Sequence, residues 1–282
     1  MRPVGAFTVS VLLLVIFFTG SFAQTLTPQE IIDRHLASIG SREKRDSIKT
    51  LMAVGISEFE AKVPLVKGGG KAIIVSDPNN LFFVMSLNSK EYPFEKVGYF
   101  GDKVNLPYMP AGVRSLLGGF LAENSKVLTN GLFSGVMSLR WPFLGLDKKK
   151  FRLESLGVKK VDGRKMYVLD FDPSGVASTQ LMMRLYFDSE TFSHARTEFV
   201  RAIDAGNVTF RQANQQGTSI LTLTEEFSDF KDEDGLNLPH SYRVTFRANS
   251  NAAMYENVWG INVRQYYFNQ KLAPDFFTFE TK

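Results

Sequence analysis

The chain of 282 residues contains no cysteine. That excludes disulfide staples, thiolate metal sites and thiol nucleophiles, together with the acylated N-terminal cysteine by which bacterial lipoproteins are anchored. Histidine is scarce: His35, His194 and His240 are the full set, and none has metal-ligand spacing. His35 falls on an apolar stripe and reads as a satisfied structural residue. Charge of one sign is also missing. A net charge of +4, with Lys and Arg interspersed among Asp and Glu, is too weak a bias for a nucleic-acid partner, and Lys148 to Lys150 reads as a solvated loop.

One long apolar run stands at the N-terminus, Val11 to Phe18 (VLLLVIFF), preceded by Arg2 and followed by Ser21-Phe22-Ala23. It falls short of the ~20 residues needed to cross a bilayer. The pattern predicts a secretory signal peptide over 1–23, cleaved after Ala23. Gln24 stands where a lipoprotein would have its cysteine, so the exported product is predicted to be soluble. Residues 24–282 suit one β-sandwich or barrel domain, expected as a monomer.

Catalytic motifs are lacking as well. In Gly131-Leu132-Phe133-Ser134-Gly135 the serine comes one place too late for a nucleophile elbow. Gly68-Gly69-Gly70-Lys71 lacks P-loop spacing and reads as a flexible connection between the first two strands. Neither an enzyme nor a cofactor is expected.

What the sequence does contain is pattern. Thr27-Pro28-Gln29-Glu30 forms a capping box with proline at the first helical position. Ile31, Ile32, His35, Leu36 and Ile39 follow at helical spacing, and Gly40 is placed to end the helix in a left-handed conformation. From Ile48 the period changes to two, in about eleven short runs bounded by Gly, Pro, Asn and Asp, with turns such as Asp162-Gly163, Asp188-Ser189-Glu190-Thr191 and Asp234-Gly235. The fold class predicted is mainly β with a few helices, the strands mostly antiparallel.

The alternation sorts side chains by face. Leu181, Met183, Leu185 and Phe187 make one apolar side against Arg184 and Asp188; Tyr242, Val244 and Phe246 oppose Arg243, Thr245 and Arg247. An apolar face this wide needs a cover, because contiguous exposed patches beyond a few hundred Å² are rare on soluble monomers. The first helix is one candidate. The other is 110–146, where alternation fails: Leu116, Leu117, Phe120 and Leu121 have helical spacing, and Phe133, Val136, Met137, Leu139, Trp141, Phe143 and Leu144 follow. Gly118, Gly119, Gly131 and Gly135 weaken it as a rigid helix, so 110–146 is read as either a movable lid or a fixed plug. The candidate cavity lining is therefore Leu181, Met183, Leu185, Phe187, Tyr242, Val244 and Phe246 from the sheet, with Leu117, Phe120, Phe133, Met137 and Trp141 from the cover.

Five stretches, in this order, resemble the LolA/LolB-like family of periplasmic lipoprotein carriers and the related outer-membrane lipoprotein-sorting proteins: LTPQEIIDRHLASIG, VDGRKMYVLDFDP, MRLYFDSETFSHARTEF, FKDEDGLNLPHSYRV and INVRQYYFNQKLAPDFF. The resemblance implies a strongly curved, incomplete antiparallel barrel with helices capping its hollow side, which receives acyl chains of lipoproteins or other lipids. It implies a periplasmic carrier in transient contact with membrane proteins or a membrane surface. The alternative is a lipid-sensing or envelope-stress module that binds a protein partner. The absent cysteine argues against the branch that is itself lipidated. The family's cavity arginine has two candidates here, Arg114 and Arg140, neither in a recognisable motif.

Overall fold

A computed structural model of the protein describes residues 26–90, 92–110, 112–144, 151–172, 181–202, 220–249, 254–273 and 275–277. The expected signal peptide and the Lys148 to Lys150 run lie outside these residues. The first helix, α1 (Pro28–Ile39), begins as its capping box dictates: the Thr27 hydroxyl accepts from the Glu30 N–H at 3.2 Å, and Glu30 Oε2 accepts from the Thr27 N–H at 2.8 Å. It buries Ile31, Ile32, His35, Leu36 and Ile39. Gly40 ends it differently from the expectation, at φ 152° rather than in a left-handed turn, because its Cα lies against the chain at Gly235. A Cβ there would sit 2.6 Å from the Gly235 carbonyl oxygen. A short helix, α2 (Arg42–Ser47), follows, capped by Ser41.

Twelve strands make one antiparallel sheet among the described residues: β1 (Leu51–Lys62), β2 (Leu65–Ser76), β3 (Asn80–Ser86), β4 (Phe94–Phe100), β5 (Lys103–Asn105), β6 (Arg152–Val161), β7 (Arg164–Asp172), β8 (Met182–Asp188), β9 (His194–Ala202), β10 (Ile220–Glu233), β11 (Leu236–Asn249) and β12 (Met254–Phe268). The spatial order is β5-β4-β3-β2-β1-β12-β11-β10-β9-β8-β7-β6. It is a curved open sheet rather than a closed barrel, since β5 and β6 remain edges. Asp162-Gly163 and Asp234-Gly235 turn tightly between neighbouring strands with positive φ at both residues, 48° and 84° in the first and 54° and 81° in the second, as two-residue hairpins of this hand require. In the Asp188 turn, the carboxylate accepts from the Glu190 and Thr191 N–H groups at 3.0 Å each.

A second sequence expectation is corrected. Gly68-Gly69-Gly70 is not a connection but part of β2, opposite Ser57 to Phe59 of β1. These glycines bring β2 against the chain after β3, where the Gly69 N–H donates to Leu87 O at 2.7 Å and a Cβ on Gly68 would lie 2.2 Å from that oxygen. The twelfth strand is the three-residue β5, too short to show a period of two.

The topology fixes where the cover must run. β5 is one edge of the sheet and β6 the other, so the chain between them has to traverse the whole width, on the order of 50 Å for twelve strands at ~4.8 Å spacing before curvature. It does so over the hollow side. Residues 112–144 carry α3 (Leu116–Glu123), α4 (Lys126–Thr129) and a 3-10 turn at Gly135–Met137. The inward residues of the strands, the apolar face of α1 and this covering segment form one contiguous core.

Candidate ligand-binding concavity

Alternation along each strand sets the floor. Met183, Leu185 and Phe187 of β8 and Tyr242, Val244 and Phe246 of β11 point to the hollow side and are buried; Leu181, just ahead of β8, is half-buried at the rim. Leu117 and Phe120 of α3, with Phe133, Met137 and Trp141, lie on the cover and are buried against that floor. All twelve candidate residues thus belong to one apolar layer, joined by ring contacts such as Phe120 on Phe246 with centroids 6.0 Å apart and Phe133 on Tyr242 at 6.5 Å. The cover's own side chains occupy the face.

The opposite, outer side carries an open groove of about 480 Å³ lined by Glu58, Glu60, Lys62, Lys67, Arg243 and Glu256, among others. Its Lys67–Glu60 pair at 3.2 Å and its Lys62–Glu256 pair make it unsuited to hydrocarbon.

Polar contacts hold the cover at discrete points. The Ser115 hydroxyl, which caps α3, donates to Glu95 Oε1 of β4 at 2.9 Å, and Tyr92 donates to the other oxygen of the same carboxyl. At its far end α3 reaches β9, where Glu123 pairs with Arg201 at 2.5 Å. The Ser134 N–H donates to Glu225 Oε1 of β10 at 2.7 Å, and the Leu139 N–H donates to Ser76 Oγ at 2.9 Å. Trp141 donates from its indole to His35 Nε2 at 3.4 Å, stacks on His194 with centroids 4.8 Å apart, and ties α1 to the cover. His35 is satisfied as expected, its Nδ1 lying 3.1 Å from Phe192 O.

The electrostatics follow from burial. Desolvation pushes the Glu95 and Glu225 carboxyls up to about 8, so both hold a proton at neutral pH. It lowers His35 to about 4 and His194 well below its usual value, so both are neutral. The apolar layer therefore contains no net charge from these four groups.

The two glutamates were missed in the sequence, though a signal existed. Leu223-Thr224-Glu225-Glu226-Phe227 places Glu225 in phase with two inward apolar residues, and Glu95 stands in the same phase as Val97 and Tyr99. The two arginine candidates are engaged elsewhere: Arg114 stacks over Tyr108 at 4.2 Å, and Arg140 reaches Gly101 O at 2.8 Å and Asp102 at 3.0 Å. The glycines of the cover have a packing role that composition did not reveal. Gly131, at φ 69°, approaches so closely that a Cβ would lie 2.1 Å from Arg140 O.

Comparison with solved structures shows that the fold is LolA-like. The chain is similar to a LolA superfamily protein from Nitrosomonas europaea, with 15% identity and a TM-score of 0.50 over 90% of this chain and 98% of that one. Similarity extends to a putative outer membrane lipoprotein-sorting protein domain from Vibrio parahaemolyticus, at 14% identity and TM-score 0.45 over 87% and 95%, and to a DUF1329 family protein from Desulfovibrio piger, at 10% and 0.43 over 89% and 96%. No protein-family model matches the chain, and no curated relative matches it in sequence. Among the described residues no helix is long and apolar enough to cross a membrane.

Proposed function

We propose that the protein is a periplasmic carrier that holds acyl chains of lipoproteins or other lipids against the concave face and moves them towards the outer membrane. One observation carries the reading: a continuous apolar face is covered by a segment of the same chain that is pinned at a few polar points. Such a cover can exchange places with hydrocarbon. A chain of sixteen carbons offers on the order of 12 kcal/mol at ~0.8 kcal/mol per methylene, while each large apolar side chain uncovered costs about 1.5–3 kcal/mol. One acyl chain therefore offsets release of part of the cover, and a two-chain lipid offsets more. The near balance of these two quantities is what loading and unloading require.

Native mass spectrometry of protein purified from the bacterial envelope tests this. Adducts with the masses of lipids or acylated peptides are expected. Protein of unadorned mass that co-purifies with a stoichiometric protein partner would instead favour a sensor module.

A further inference from the structure

Three buried polar groups, two of them packed on the Phe227 ring, line the floor of this otherwise apolar concavity where the Ser134-Gly135 turn meets it. Glu225 stands between Leu223 and Phe227 on β10, entirely buried. Its Oε1 accepts from the Tyr242 hydroxyl at 2.5 Å and from the Ser134 N–H at 2.7 Å, whereas its Oε2 is buried without a partner. His194, also entirely buried, lies across the Phe227 ring, which is 4.8 Å from His194 and 5.1 Å from Tyr242 between centroids. His194 Nε2 is 3.0 Å from Arg196 O, so the ring proton belongs on that nitrogen and Nδ1 is left as an acceptor. Nδ1 too is buried without a partner. What covers it is Gly135, where a Cβ would come within 2.9 Å of Nδ1.

Unpaired buried polar atoms are costly, about 1–3 kcal/mol each, and a fold keeps them where something else uses them. We propose that Glu225, Tyr242 and His194 form an anchor for the hydroxyls of a neutral glyceride-type lipid head, whose position the Ser134-Gly135 turn occupies when the cover is closed. This rests on the carrier reading above. A glyceride head fits because each of its hydroxyls can accept and donate: one accepts a hydrogen bond from protonated Glu225 Oε2, and another donates one to His194 Nδ1. With Glu225 up to about 8 and His194 neutral, the anchor contributes a neutral donor and a neutral acceptor. A carboxylate or phosphate head would face the His194 lone pair with no cation from these residues to compensate it. The anchor therefore selects neutral lipids over anionic ones, while the surrounding Phe187, Phe227 and Phe246 hold the chain.

The test is equilibrium binding of three probes that share one acyl chain, 1-oleoylglycerol, methyl oleate and oleate, each below its aggregation concentration. Wild-type protein is expected to bind the glyceride at least tenfold more tightly than the other two. Glu225→Met and His194→Phe, checked for folding by circular dichroism, should lose that preference, the ratio of glyceride to methyl oleate affinity falling to about one even where loss of the Glu225 contact with Ser134 raises the affinity for every probe. If wild type binds methyl oleate as tightly as the glyceride, the anchor is wrong and the carrier reading stands. A preference that survives in both folded variants also overturns the assignment. Failure of wild type to bind any of the three overturns anchor and carrier together.

Discussion

The backbone N–H of Ser134 and the Glu225 carboxyl, 91 residues apart in sequence, meet at 2.7 Å in the centre of the concavity. Ser134 belongs to the cover and Glu225 to the floor. Ser134 holds a left-handed φ of 69° to make the contact, an unfavourable conformation for a residue with a side chain. Removing the carboxyl leaves this N–H and the Tyr242 hydroxyl unpaired and opens a void. Glu225→Ala is therefore expected to lower unfolding stability by about 2–4 kcal/mol, and Glu225→Gln, which keeps an acceptor at the Oε1 position, by about 1 kcal/mol or less at neutral pH. Urea denaturation checks both; equal effects would contradict the role given to Oε1.

Stability should depend on pH in a defined direction. Folded Glu95 and Glu225, at about 8, keep protons that the unfolded chain gives up above the ordinary carboxylate range. The folded state therefore binds more protons, and this contribution to stability is lost as pH rises towards 8. His35, at about 4, and His194, also lowered, act oppositely: the unfolded chain takes up their protons below about pH 6.5. The two pairs roughly cancel between the unfolded carboxylate range and pH 6.5. From pH 6.5 the carboxyls act alone, and stability should fall with a slope of at most about 1 kcal/mol per pH unit for each, flattening as pH reaches the folded value of about 8. Urea midpoints at pH 6, 7 and 8 test this, and Glu225→Gln should remove about half the slope. A midpoint that rises over this range would contradict the burial argument.

Three glycines of the cover make a contrast. Gly131 and Gly135 have positive φ and no room for a Cβ, the second meeting Phe227 and His194 at 2.8 and 2.9 Å. Gly119, inside α3, has nothing within 4 Å of its would-be Cβ. Gly131→Ala and Gly135→Ala should each destabilise by at least about 1–2 kcal/mol, whereas Gly119→Ala should stabilise by up to about 1 kcal/mol. Thermal melts of the three variants distinguish them.

Trp141 reports on the cover and Trp259 on the sheet, both 1% exposed. In the Trp259→Phe variant, loading with lipid should raise acrylamide quenching of Trp141; in the Trp141→Phe variant, quenching of Trp259 should stay low. Leu185→Asp and Phe246→Asp, which place an unpaired charge in the floor, should abolish binding of a fluorescent fatty acid. Retained binding by folded Asp variants would remove these residues from the lining.

Much of this architecture was legible in the sequence because it rests on local periodicity. The Thr27–Glu30 capping box, the Asp188 turn and the two-residue hairpins need only neighbouring residues, and the inward phase of Leu185 and Phe246 follows from alternation. What stayed hidden depends on contacts distant along the chain. The strand identity of Gly68 to Gly70 is imposed by Leu87 rather than by propensity, and the passage of the cover over the hollow side follows from β1 pairing with β12, which leaves β5 and β6 at opposite edges. Glu225 stood in an apolar phase, yet only its partners Ser134 and Tyr242 show how a carboxyl is accommodated there.

The central claim is that lipid reaches the concave face only when the cover leaves it, and the absence of native cysteine makes this directly measurable. Glu123 of the cover and Arg201 of the floor pair at 2.5 Å, so Glu123→Cys and Arg201→Cys introduced together allow a short thiol-cleavable crosslink to lock α3 onto β9. Titrated with a fluorescent acyl probe, the locked protein should show no binding and should recover it when the link is reduced. Equal binding by locked and reduced protein would contradict the account.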